Sequence, residues 1–215
     1  MKYLGYHICN KYLAKTHIEK RRKATLTAIA KLKSKGLLSD SLSVKTKVLL
    51  FKTFIRPTLL YGLENYPMSD NNSKMLRRIE GNFLKTSIDM PTRCHSTKLL
   101  AAMEVLETTS CIEKSKLGFF LRLLNNDFTR SLIEEEVKFN FPGSYVCEVA
   151  KISNVDTAAA DIDTLVESAA IRLANIKCEQ RMLKKPATGE IVEIRSLFEN
   201  YDDNDKIKLF NLIKF

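Results

Sequence analysis

Thr16-His17-Ile18-Glu19-Lys20-Arg21-Arg22-Lys23-Ala24-Thr25-Leu26-Thr27-Ala28-Ile29-Ala30-Lys31-Leu32-Lys33-Ser34-Lys35 carries a helical pattern and a dense positive charge in one segment. Thr16 and Glu19 have the spacing of a capping box and Gly36 supplies a stop, so a helix is expected over residues 16–35. Ile18, Leu26, Ile29 and Leu32 recur at helical spacing and mark the stripe it would bury. Lys20, Arg21, Arg22 and Lys23 are consecutive, so a helix must fan them around its axis.

On the amino-terminal side, residues 2–9 form an aromatic and β-branched run that reads as one short strand or one arm of a hairpin. On the other side, residues 43–56 read as a second helix capped by Ser43, with Val44, Val48, Phe51 and Ile55 on one side. Pro57 is expected to end or kink it. Leu76, Ile79, Phe83 and Ile88 mark a helix over 73–88, and shorter helices are expected over 96–106, 110–125 and 128–139. The run from Gly118 to Leu124 is apolar nearly all round and reads as buried. Phe141-Pro142-Gly143-Ser144 is the candidate boundary. Beyond it, residues 157–184 read as one long helix with Ile162, Leu165, Val166, Ala169, Leu173 and Ile176 as its stripe, and helices near 190–200 and 204–214 follow. Seven glycines and five prolines in 215 residues suit long helices better than many short strands. The expected fold is mainly α: a helical bundle preceded by one short β-strand or hairpin, with a second, smaller helical segment at the C-terminus. Its parts are residues 1–14, 15–140 and an acidic 141–215.

The net charge of +10 is unevenly spread. Residues 1–60 hold 14 basic against two acidic side chains, residues 61–130 hold 10 against eight, and residues 131–215 hold 11 against 15. A basic end suits a polyanion, because each neutralised phosphate releases counterions. Five widely spaced cysteines and no export signal point to free thiols in a reducing, intracellular compartment, nucleus or cytoplasm. No run of apolar residues is long enough to span a membrane, so no membrane partner is expected.

Four segments stand in order along the chain. The first is Lys2-Tyr3-Leu4-Gly5 with Ile8. The second is His17-Ile18 followed by the basic helix with Ala24, Leu26 and Leu32. The third is Lys47 through Arg56-Pro57 to Leu60-Tyr61-Gly62 and Glu64. The fourth is Leu76, Ile79-Glu80 and Phe83-Leu84, then Leu99-Leu100. In this order they resemble the thumb and following helices of non-LTR (long interspersed element) reverse transcriptases. Tyr66 stands where the family usually has tryptophan, Asn82 and Lys85 depart from its next helix, and residues 140–215 carry no resemblance.

The resemblance implies a thumb-like bundle that binds RNA and DNA as template–primer, with Lys2, Tyr3 and Gly5 in a primer-grip strand. Lys15, Lys20, Arg21, Arg22, Lys23, Lys31, Lys33, Lys45 and Lys47 would contact the backbone of the hybrid, a task for charge rather than base identity. It implies no catalysis by this chain alone: the family's magnesium-binding carboxylates precede the Lys2–Gly5 strand, so no cofactor is expected here. Tyr201-Asp202-Asp203-Asn204-Asp205 mimics the catalytic turn but lacks its spacing and order, and reads as a helix cap or solvated loop. Cys94-His95 and Cys111 lack zinc-ligand spacing. His7 and His17 read as structural histidines, and Glu64 as a partner for Arg56. Two further readings stay open: a helical adaptor contacting a protein through its C-terminal helices, and an inert remnant of a mobile element.

Overall fold

The computed structural model describes residues 2–3, 6–7, 13–91, 93, 96–139, 143–156, 161–184 and 190–197. The chain is mainly helical, as expected. Ahead of the helices, β1 (Lys2–Tyr3) and β2 (Tyr6–His7) pair antiparallel, Lys2 opposite His7 and Tyr3 opposite Tyr6. Two residues per arm make a ladder too small to define a sheet.

Helix α1 runs from Leu13 to Ser34, one turn earlier than the capping-box pair suggests. Ala14, His17 and Ile18 are buried in that first turn, so packing extends the helix past Thr16. Leu26 is a correction to the expected stripe: it is 48% exposed, and Thr25 takes the buried place beside Ile29. Gly36, at a φ of 73°, ends the turn in the left-handed region that glycine enters without cost.

Helix α2 (Val44–Leu50) starts at Ser43, whose hydroxyl accepts the Thr46 N–H. It does not stop before Pro57. A π turn over Phe51–Ile55 leads straight into α3 (Arg56–Leu60). Proline offers no N–H and crowds the carbonyl four residues back. The wider turn, in which the Arg56 N–H reaches the Phe51 carbonyl, absorbs that conflict without breaking the axis. Val44, Val48, Phe51 and Ile55 all reach the core, as their spacing predicts.

Ser69 caps α4 (Asp70–Ser87) by accepting the Asn72 N–H, a turn before the expected start. α5 (Ser96–Ala102), α6 (Thr108–Leu123) and α7 (Asp127–Phe139) follow. α8 (Tyr145–Ser153), capped by Ser144, occupies a stretch where no helix was expected. Val146, Cys147, Val149 and Ala150 are its buried face. α9 (Ile162–Met182) buries Leu165, Ala169, Leu173 and Ile176 of the predicted stripe, with Ile162 and Val166 partly covered. α10 is Glu190–Leu197. The helix expected near 204–214 and the Tyr201–Asp205 cluster lie outside the described residues.

The buried side chains form two clusters, and the division does not fall at Phe141–Ser144. One cluster gathers α1 to α5 with Ile112 of α6 and Ile194 of α10. The other gathers Leu117 and Phe120 of α6 with Leu106, Ile133 and the faces of α8 and α9. Within Gly118–Leu124 only Phe120 is fully buried, because α6 shows its other side to solvent.

Polar contacts lock these pieces. Arg56 pairs with Glu80 at 2.6 Å, not with Glu64, and donates to the Leu106 carbonyl. Burial pushes the Glu80 carboxyl up, opposed by Arg56 and by the Thr108 hydroxyl. Lys116 is buried between the Glu148 carboxylate and the Tyr66 carbonyl, 2.6 Å away, and Glu148 accepts the Met68 N–H at 2.6 Å. Burial lowers the Lys116 ammonium, with Glu148 opposing the shift.

Candidate nucleic-acid interface

Successive helical residues turn by about 100°, which sorts the charges of α1. Ala14, His17, Ile18, Thr25 and Ile29 face the core. Lys15, Arg22 and Lys33 then fall along one flank, Lys20 and Lys31 along the other, and Lys23 points away from the core. All six are exposed. The sequence's consecutive basic run is therefore spread over the whole solvent arc of α1.

One flank is continued by a neighbour. Arg22 and Glu19 face α4 across an open groove of about 510 Å³. From α4 the groove receives Lys74 and Arg78, the amides of Asn71 and Asn82, and an apolar floor of Met75, Ile79 and Phe83. Arg22, Lys74 and Arg78 are exposed cations from two helices, and Glu19 is the acid that opposes them. Glu19 lies 3.4 Å from Arg22 in an exposed pair. Such pairs are weak in water, so a phosphate can displace the carboxylate. Lys74 and Arg78 were not among the residues expected from sequence. Their signal is the i, i+4 spacing on the polar side of α4, in step with Asn71 and Asn82.

Two expected contact residues have structural partners instead. Lys47 is 3% exposed and sits 2.7 Å from Asp89 and 3.7 Å from Asp40, so its ammonium ties α2 to the end of α4. Arg21 is half-buried. Its Nε and Nη2 donate to the Thr58 carbonyl at 2.7 and 2.5 Å, and its guanidinium lies 5.0 Å from the centre of the Tyr61 ring. Burial lowers its pKa, with Tyr61 opposing. Lys45 is exposed but lines a different cleft, against Glu104 and Arg195. Lys2 and Tyr3 are placed in β1, and Gly5 lies outside the described residues.

His17 is structural, as its sequence context suggests: Nε2 lies 2.8 Å from the Tyr61 carbonyl, and the ring packs 4.7 Å from that of Tyr66. Among the described residues no group of three His, Cys, Asp or Glu side chains converges as metal ligands do, and no helix is long and apolar enough to cross a membrane. The chain matches no family model, no curated protein and no solved structure.

Proposed function

We propose that this chain is a nucleic-acid-gripping helical element of the non-LTR reverse transcriptase type, holding an RNA–DNA template–primer without carrying out synthesis itself. The observation that carries this reading is the groove in which Arg22 of α1 meets Lys74 and Arg78 of α4, beside a helix whose remaining solvent arc bears Lys15, Lys20, Lys23, Lys31 and Lys33. Exposed cations that meet no matching set of acids among the described residues suit a phosphate backbone, and an A-form-like hybrid is held through shape and backbone. The thumb-like character of the bundle and the primer-grip role of Lys2, Tyr3 and Gly5 belong to the same proposal. So does the assignment of magnesium chemistry to carboxylates that the family places ahead of such a strand.

Fluorescence anisotropy of a labelled RNA–DNA hybrid across a salt series tests it. Affinity should fall linearly on a log–log plot against salt. The double variant Lys74→Glu/Arg78→Glu should bind more weakly, with a slope shallower by about two. Absent or salt-independent binding would count against the reading.

The adaptor reading draws on a separate observation. Phe128, Leu132 and Phe139 lie along one side of α7 and are all exposed, whereas the stripe of α9 is already buried. A protein partner that survives nuclease treatment and is lost on Leu132→Ser would favour it.

A further inference from the structure

The flank of α1 that bears Lys20 and Lys31 borders a different neighbour from the α1/α4 groove. His17 meets the Tyr61 carbonyl and Arg21 donates to that of Thr58, so α1 runs antiparallel to the π turn and α3, and its next turn comes level with Phe54. Lys20, Ala24, Ala28 and Lys31 succeed one another at i, i+4, i+8 and i+11, along the edge of α1 on the Arg21 side. The two alanines are partly covered and form a low floor, and both lysines are exposed. Neither lysine has an ion pair among the described residues.

Across that edge, Phe54, Thr58 and Tyr61 follow at i, i+4 and i+7 and share one side of their helix. Phe54 is 53% exposed and Tyr61 49%, whereas Phe51, Ile55 and Leu59 of the same segment are fully buried. The Arg21 guanidinium lies over one face of the Tyr61 ring, 5.0 Å from its centre, so the exposed area lies on the rest of the ring. The two aromatic side chains stand about 10 Å apart along the axis, too far to be covered by one base. Thr58 interrupts the apolar surface between them and lysines border it, so it lacks the continuous apolar stripe on which a partner helix docks. Aromatic faces spaced along a basic track suit a single-stranded polynucleotide, whose bases stack and whose phosphates ask only for charge.

We propose that this face binds a single strand of RNA or DNA, one base stacked on Tyr61 and another on Phe54, with the linking phosphates on Lys20 and Lys31. Arg21 holds the Tyr61 ring in place, and the Tyr61 hydroxyl has no part in the contact. The inference rests on the nucleic-acid reading of the chain but not on the α1/α4 groove, which lies on the opposite flank of the same helix.

Fluorescence anisotropy with the full chain separates the two faces. The probes are labelled adenylate dodecamers of RNA and of DNA, an abasic DNA dodecamer with the same phosphates, and a blunt RNA–DNA hybrid. Each adenylate dodecamer should bind at least about tenfold more tightly than the abasic one. Phe54→Leu and Tyr61→Leu keep an apolar side chain but remove the ring, and each should weaken the adenylate dodecamers about tenfold while leaving the blunt hybrid unchanged. Lys20→Gln/Lys31→Gln should make the single-strand salt slope shallower by about 1.4. Lys74→Glu/Arg78→Glu should weaken the hybrid and leave the dodecamers unchanged, so that either face can fail without the other. Abasic strand binding as tightly as adenylate would overturn the proposal, as would wild-type affinity in both leucine variants. A dimer in sedimentation that dissociates on Phe54→Leu would overturn it too, because a second copy would then cover the rings.

Discussion

Lys47 shows how a basic residue can be read correctly as important and wrongly as exposed, and Arg56 how one can be read correctly as paired and given the wrong acid. Arg56 lies in a segment where a surface cation and a buried one look alike in sequence, because the acid that answers it, Glu80, is 24 positions away on α4. Removing one member of a buried pair strands the other charge, which costs about 3–5 kcal/mol. Arg56→Leu should therefore lower stability by about that much in urea denaturation, and Arg56→Leu/Glu80→Leu should recover a large part of it. Lys47 has the milder version of the same role, because its partner Asp89 keeps about a third of its side chain in water. Lys47→Met should cost about 1–2 kcal/mol and leave hybrid affinity unchanged, whereas Lys23→Met should do the reverse. If Lys47→Met weakened binding at unchanged stability, the structural assignment of Lys47 would be wrong.

At the level of the element, apolar periodicity located most helices, because burying one face requires it whatever the partner. Val44, Val48, Phe51 and Ile55, and the α9 stripe, were legible for that reason. What the spacing could not show was anything decided by a neighbour. The start of α1 is set by the burial of Ala14 and His17, the continuation past Pro57 by a π turn, and α8 by a face of only four buried apolar residues over nine positions. The α1/α4 groove was half legible: the charge of α1 stands in the sequence, whereas the facing of Lys74 and Arg78 depends on how two helices pack.

Caps are local and carry their own prediction. The Asp161 side chain accepts the Thr164 N–H at 2.8 Å, and hydrogen bonding from the Thr164 hydroxyl first, then from that N–H, lowers the Asp161 carboxyl below its usual value of 3.8. A lowered carboxyl contributes stability above its unfolded-state pKa and loses it as pH falls through the folded value. Thermal melts should thus show Asp161→Ala below wild type at neutral pH, with the gap narrowing as the pH drops below about 4. A gap that stayed constant down to pH 2 would show that the charge contributes nothing there.

Across the whole molecule, the change of composition near residue 141 does not mark a change of core. The switch to acidic, alanine-rich sequence describes what the surface shows, whereas the clusters are defined by what each helix buries. α10 makes the point, since it lies in the acidic third of the chain and yet sends Ile194 into the first cluster.

α6 goes further, giving Ile112 to one cluster and Leu117 and Phe120 to the other, while Lys116 at the junction holds Glu148 and the Tyr66 carbonyl. A single rod shared in this way leaves no seam along which heat can separate the halves: fraying it strips both apolar interiors at once. Scanning calorimetry should accordingly record one endotherm whose calorimetric and van't Hoff enthalpies agree, and two resolved peaks would mean that the rod transmits nothing between its ends.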